Sequence, residues 1–398
     1  MKTKFVLVLT TIFALISCSE KDLYEGGSEE KIEKRVNHLT IPTNFDWSTV
    51  SEVICKFTAS SNTYVYVYTE SSCTDNSLVA EYTVVPGDEE GLTLDIPSWV
   101  KQLYVKVGDT VTPVNIESNV AVYTIPPLSR NGNLPGEDDQ ATGIRYFPSK
   151  TGMATVMFED YFPTTGDYDF NDYVINYRYE ALIEGNNDNN KKVKDIKFDI
   201  RVRARGGVYA YKPYLRLIKA NGQFSSKEEI ESDGATVVAT NPLVLSIDKY
   251  SERAEGAAYL NTEPNEPKVP TARLEMTTFH LFFHGNGMSQ KDLKVDFFLR
   301  GKGHEDQDYE IHERGFKATS TSYYPTYHLE LDPNVPYATK ENLVWGFTVA
   351  ADIPHATERT NFLKAYPKFA AWAQSGGTDS PDWYTAEHRD IEYLFRMD

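Results

Sequence analysis

Basic residues are in short supply: 40 Lys and Arg stand against 58 Asp and Glu, for a formal net charge of −18. That balance excludes a nucleic-acid-binding surface, which must displace counterions with positive charge. Cysteine is scarcer still, with only Cys18, Cys55 and Cys73, so at most one disulfide could form within the folded part. There is no Gly-x-Ser-x-Gly elbow, no His-Glu-x-x-His and no phosphate-binding glycine loop. Without a recognisable set of acid, base and nucleophile, an enzyme is not expected. Repeats of fixed period, low-complexity tracts and coiled-coil heptads are also missing, and no apolar run after the first is long enough to cross a membrane.

That first run is informative. Met1-Lys2-Thr3-Lys4 precedes apolar Phe5 to Leu9, continuing through Thr10 and Thr11 to Ile16, and then Ser17-Cys18. A basic start, a short apolar stretch and a small residue before Cys read as an export signal over residues 1–17. Leu15-Ile16-Ser17-Cys18 is similar to a bacterial lipobox, in which the Cys carries the lipid; two acyl chains anchor stably where one does not. The alternative is an ordinary cleaved signal and an incidental Cys. Loss of Lys2 and Lys4 with the signal takes the net charge to −20. Outside the cytoplasm Cys55 and Cys73 could be bridged, but two free thiols fit equally well.

Residues 18–38, rich in Glu, Lys, Gly and Ser, read as a flexible tether. Twenty-six Tyr and twenty Phe, with few Leu- or Ala-rich stretches, favour strands. Over residues 39–125, runs such as Tyr64–Tyr68, Leu92–Ile96 and Leu103–Val107 between turn residues predict a small antiparallel β-sandwich domain. Breakers and charge from Pro126 to Thr142, including Asn131-Gly132 and Pro135-Gly136-Glu137-Asp138-Asp139, mark a linker. Residues 143–398 then form a larger β-rich domain, with strands expected over Ala154–Phe158, Tyr173–Tyr179, Val193–Arg203, Thr236–Ala239, Phe279–Phe283, Val295–Leu299 and Leu343–Val349. Helical spacing occurs only late, in Phe362, Ala365, Tyr366, Phe369 and Trp372, and Pro367 splits it into a kinked helix or two short ones. The predicted class is therefore mainly β with a few short C-terminal helices.

The densest chemistry is Phe158-Glu159-Asp160 followed by Gly166-Asp167-Tyr168-Asp169-Phe170-Asn171-Asp172. Carboxylates this close repel unless spread out, protonated or neutralised, and a hard cation with oxygen ligands neutralises them best. Asp167, Asp169 and Asn171 match the first three ligand positions of an EF-hand, but Asp172 replaces the required Gly and Arg178 stands where its last Glu would be. The remaining ligands must come from elsewhere, with Asp172, Glu159 and Asp160 nearest. Many carboxylates in flexible geometry favour Ca2+ over Mg2+, and the lack of local His or Cys disfavours zinc. The competing reading is a polar hairpin with Tyr168 and Phe170 inward and Asp167, Asp169 and Asn171 in water. Glycosidase-like use of Asp167, Asp169 and Asp172 is disfavoured, since an acid partner needs apolar burial rather than heaped like charge.

These stretches resemble the LruC-domain family of exported lipoproteins of Gram-negative bacteria. Phe158-Glu159-Asp160 with Gly166 through Val174 is similar to its signature. Arg300-Gly301-Lys302 and Glu310-Ile311-His312 are similar to its middle motif. Ala365-Tyr366-Pro367-Lys368-Phe369, Trp372 through Gly377 and Asp382-Trp383-Tyr384 are similar to its C-terminal motif. The middle departs from the pattern, with Glu313-Arg314 where Leu-Pro is expected and Ala318-Thr319 near a later Pro-Thr. The resemblance implies a lipid-anchored outer-membrane protein, periplasmic or surface-facing, with cation binding and no assigned enzymatic activity.

Two further stretches each carry a pair of histidines. His304 and His312 lie with four carboxylates in ten residues, where a charged loop and strand fit better than a transition-metal site. His280 and His284, in an aromatic run, are expected in the core. The expected role is a non-enzymatic structural, adhesive or interaction component of the envelope. Its partners are the membrane, calcium and either a glycan or another surface protein; the alternative is a carbohydrate-binding lipoprotein serving glycan uptake.

Overall fold

The structure, a computed structural model, describes residues 34–127, 141–185, 191–218, 228–283, 287–326, 328 and 330–397. The export signal, Cys18, most of the tether, linker residues 128–140 and His284 lie outside them. From Lys34 to Asp398 the chain forms one compact unit. It is mainly β, as expected, with two short helices, Phe362–Ala365 and Phe369–Gln374, separated at Pro367.

A large sheet carries most of the fold. Its order from one edge is Glu228–Asp233, Thr277–Phe283, Lys192–Ala204, Tyr173–Gly185, Ala141–Phe147, Leu78–Val84, Thr63–Tyr68, Gln102–Val107, Thr110–Glu117, Val120–Thr124, Val50–Thr58 and Leu92–Pro97. Period-two burial explains these strands: in Lys192–Ala204 the side chains of Val193, Ile196, Phe198, Ile200 and Val202 are buried while charged residues intervene. A second sheet runs Ala235–Thr240, Leu243–Ile247, Lys212–Ile218, Lys294–Lys302 and Asp308–His312.

Hydrogen bonds cross the expected linker, because Ala80–Tyr82 pair with Gly143–Arg145. One apolar cluster runs from Val53 to Met397 through both segments. Lys191 reinforces the join, its ammonium 2.6 Å from the Asp88 carboxylate with both side chains buried. Within the segment 39–125 one strand pair, Val50–Thr58 with Val120–Thr124, is parallel rather than antiparallel. Lys34–His38, expected at the end of the tether, is folded: Val36 is buried and Asn361 donates to the Lys34 carbonyl at 2.9 Å. Cys55 and Cys73 are both free thiols, so the disulfide alternative is the one not realised.

Ala154–Phe158 and the start of Tyr173–Gly185 form an antiparallel hairpin, with Phe158 opposite Tyr173. The connection between them is Glu159–Asp172, the acidic segment. On its other side Ala154–Phe158 pairs with Gly346–Val349, and the Glu159 amide donates to the Trp345 carbonyl at 2.8 Å.

Candidate metal centre

The alternation of aromatic and polar residues in Asp167–Asp172 shapes this loop. Tyr168 and Phe170 have left-handed backbone, φ 57° and 54°. For non-glycine residues this costs roughly 1–2 kcal/mol each. Burial of the two rings offsets it, at about 1.5–3 kcal/mol for each large apolar side chain. Phe170 packs 4.8 Å from Phe347 and 5.2 Å from Phe362, within a cluster that includes Phe369, Trp372, Trp383 and Tyr384. The signature and C-terminal motifs are thus two sides of one aromatic core.

Pinning the aromatics inward does not leave the polar residues in water. Glu159, Asp160, Asp169 and Asn171 are all buried, and Asp167 alone of the Asp-x-Asp-x-Asn set reaches the surface. Ligand atoms of Glu159, Asp167 and Asp169 lie within 4.8 Å of one another. The Glu159 carboxylate also braces the loop, accepting from the Tyr168 amide at 3.1 Å and the Phe170 amide at 2.7 Å. Asp172 accepts from the Asp160 amide at 2.8 Å, and Asp160 from the Tyr209 amide at 2.9 Å. These three therefore have protein partners besides any ion.

A contributor that sequence reasoning missed enters from the segment after Gly346–Val349. Asp169 accepts from the Arg359 amide at 2.6 Å, which places Glu358 against the loop. Asn171 donates to the Ala356 carbonyl at 3.3 Å, leaving its Oδ1 buried and without a hydrogen-bond partner. Glu358 Oε2 is likewise buried and unpartnered. A Cβ at Gly206 would stand 2.7 Å from Asn171 Oδ1 and 2.8 Å from Glu358 Oε2, so both oxygens converge on one glycine face that any side chain would fill. A buried acceptor with no donor costs about 1–3 kcal/mol. Two such acceptors side by side are what a cation would satisfy.

The electrostatics agree. Burial first, and then Asp167 and Asp160, push the Glu159 carboxyl up to about 8, the two backbone amides only partly countering. Burial raises Asp160 to about 6 and, with Asp167 and Glu263, Glu358 to about 7. Asp167 is raised by burial; Asp169 and Asp172 are raised well above the usual range by burial and by their acidic neighbours. Each of these shifts disfavours the charged carboxylate, and a bound ion of charge two would oppose that.

The other stretches resolve differently. His304 rests against Tyr161, with ring centroids 5.8 Å apart, whereas His312 is enclosed by Asp296 at 2.9 Å and Glu310 at 3.2 Å, so the two histidines share no partner. His280, expected in the core, is half-buried and paired with Asp195, because it occupies the outward register of Thr277–Phe283. Among the described residues no helix is long and apolar enough to cross a membrane.

No curated protein matches the sequence. The fold is similar to the solved structure of a "putative lipoprotein" from Bacteroides ovatus, with a TM-score of 0.62 and 21% identity, covering 84% of this chain and 100% of that one. At that identity the likeness is one of fold. Residues 191–384 match a domain of unknown function, DUF4842, a span that contains Glu358 and the C-terminal motif and begins after the acidic loop.

Proposed function

We propose that this chain is a lipid-anchored, non-enzymatic protein of the bacterial cell envelope. A calcium ion joins its Glu159–Asp172 loop to the Ala356–Arg359 segment. The single observation that carries the metal is the pair of buried, unpartnered oxygens of Asn171 and Glu358 beside the clustered carboxylates of Glu159, Asp167 and Asp169. Asp167, Asp169, Asn171 and Glu358 would ligate, while Glu159, Asp160 and Asp172 hold the loop in shape. All donors are oxygen, which suits calcium and not zinc. Export and anchoring at Cys18 draw support from the lipobox-like start, from the LruC resemblance and from the name of the Bacteroides ovatus neighbour. Outside the cell a weak site stays filled, since extracellular modules work at Kd of about 0.1–1 mM. The loop lies in the hairpin that joins the large sheet to the C-terminal aromatic core, so the ion's role is to hold an interaction surface in one shape.

Calorimetric titration of the chelator-treated protein with calcium chloride tests this reading. Stoichiometric binding that is lost in Asn171→Ala and in Glu358→Gln supports it. A flat titration, with calcium absent from the purified protein by elemental analysis, refutes it.

A further inference from the structure

Resting on that cation site, we propose that it is also a carbohydrate-binding site. A neutral glycan would complete the ion's coordination with a pair of hydroxyls and lay its ring against a shelf formed by Tyr161 and Tyr209.

Three observations lead there. The first concerns open coordination. Calcium takes about six to eight oxygens, and Asp167, the proposed ligand that reaches the surface, would leave part of the ion's shell open to solvent. A vicinal pair of sugar hydroxyls is a neutral two-oxygen ligand of the right hardness.

The second concerns the rim. Tyr161 is 41% exposed and is the single aromatic among the exposed large hydrophobic residues described; Val208, 67% exposed, stands next to Tyr209 in sequence. Most other rings, including Trp47, Trp345, Trp372 and Trp383, are in the core. Tyr161 and Tyr209 lie with ring centroids 5.5 Å apart, their planes at 59°. His304 flanks Tyr161. Both tyrosines are tied to the acidic loop. A Cβ at Gly166, the residue before Asp167, would lie 3.7 Å from Tyr161 Cβ, and the Tyr209 amide is hydrogen-bonded to Asp160. An exposed tyrosine offers an apolar face and a polar tip, the combination that a pyranose ring matches.

The third concerns charge. Six carboxyl side chains, those of Glu159, Asp160, Asp167, Asp169, Asp172 and Glu358, gather at this site in a chain of formal net charge −18. The residual field repels uronates, sulfated sugars and phosphates, so the ligand is a neutral sugar.

The experiment uses the mature chain on an array of neutral and anionic glycans. Positives are then measured by titration in calcium and in chelator, with calcium-dependent melting recorded on every variant. We expect millimolar or tighter binding of a neutral glycan in calcium and its loss in chelator. Tyr161→Ala and Tyr209→Ala should each weaken it at least fivefold while keeping the calcium-dependent rise in melting temperature. If calcium stabilises the chain but no neutral glycan binds, or binding ignores chelator and Tyr161→Ala, the carbohydrate proposal is overturned and the ion remains. If calcium neither binds nor stabilises, both fall together.

Discussion

Calcium should protect this protein more at pH 7 than at pH 5, because ion and protons compete for the same buried carboxylates. Consider Glu159 alone, fully buried and raised from 4.5 to about 8. Below its unfolded value both states hold the proton; above it, the folded chain keeps a proton that the unfolded chain has lost. The stability this contributes is thus full at low pH and is lost as pH rises towards 8, at about 1.4 kcal/mol per pH unit. Between pH 5 and 7 that is about 2.7 kcal/mol for one group, with Glu358 and Asp160 pulling in the same direction. An ion at a hundredfold excess over its Kd returns about 2.7 kcal/mol. With unfolding entropy near 2.1 cal/mol/K per residue, the Lys34–Asp398 unit loses about 0.8 kcal/mol/K, so either effect moves Tm by about 3–4 °C. Scanning calorimetry with calcium or chelator, from pH 5 to pH 8, reads it. We expect the calcium-induced rise at pH 7 to shrink towards pH 5, and to vanish in Asp167→Ala and Asp169→Ala. Asp167→Ala in chelator should melt no lower than about the chelated wild type, since removing one carboxylate relieves repulsion, whereas Asp169→Ala also loses the acceptor of the Arg359 amide. Superimposable curves in calcium and chelator at pH 7 would refute the reasoning.

Three further outcomes are expected. Cys18→Ala should release the protein to the soluble fraction of cells; continued dependence on detergent, seen by fractionation and immunoblot, would count against the lipid anchor. Protease should cut first between Ser129 and Thr142, and the two pieces should still co-elute on size exclusion, held by the Leu78–Val84 to Ala141–Phe147 pairing and by Lys191 with Asp88; separation of folded fragments would show that the segments are independent. His312→Ala should cost about 1–3 kcal/mol in denaturant melts, because it removes a hydrogen-bond donor from the buried carboxylates of Asp296 and Glu310, which keep Arg216 and Arg300 as partners. Burial pulls the His312 imidazole down, but Asp296 and Glu310 outweigh it and leave the group raised. Its contribution is therefore full below about pH 6.5 and declines as pH rises through the higher folded value, a decline that should be missing from the variant.

Much of this chain is legible locally. Ala154–Phe158 appears as a strand with the expected bounds, and Val193–Arg203 falls within Lys192–Ala204, because alternation of apolar and charged residues leaves a strand one way to face its core. Pro367 divides the helical stretch as its missing amide requires. The candidate loop was equally visible, since crowding of Asp167, Asp169 and Asn171 is a property of neighbours in sequence.

What tertiary structure decided is everything that depends on distant partners. Burial of Asp169 and Asn171 follows from Tyr168 and Phe170 entering an aromatic core built largely from residues after Leu343. Sequence alone allowed those polar groups to face water. Glu358 carries no motif, and its neighbour Arg359 reaches Asp169 across 190 positions, a contact made only once Gly346–Val349 pairs with Ala154–Phe158. The breakers around the linker read as a boundary because turn chemistry is local. Pairing of Ala80–Tyr82 with Gly143–Arg145 is not local, since hydrogen bonds between strands carry no mark in either strand's composition.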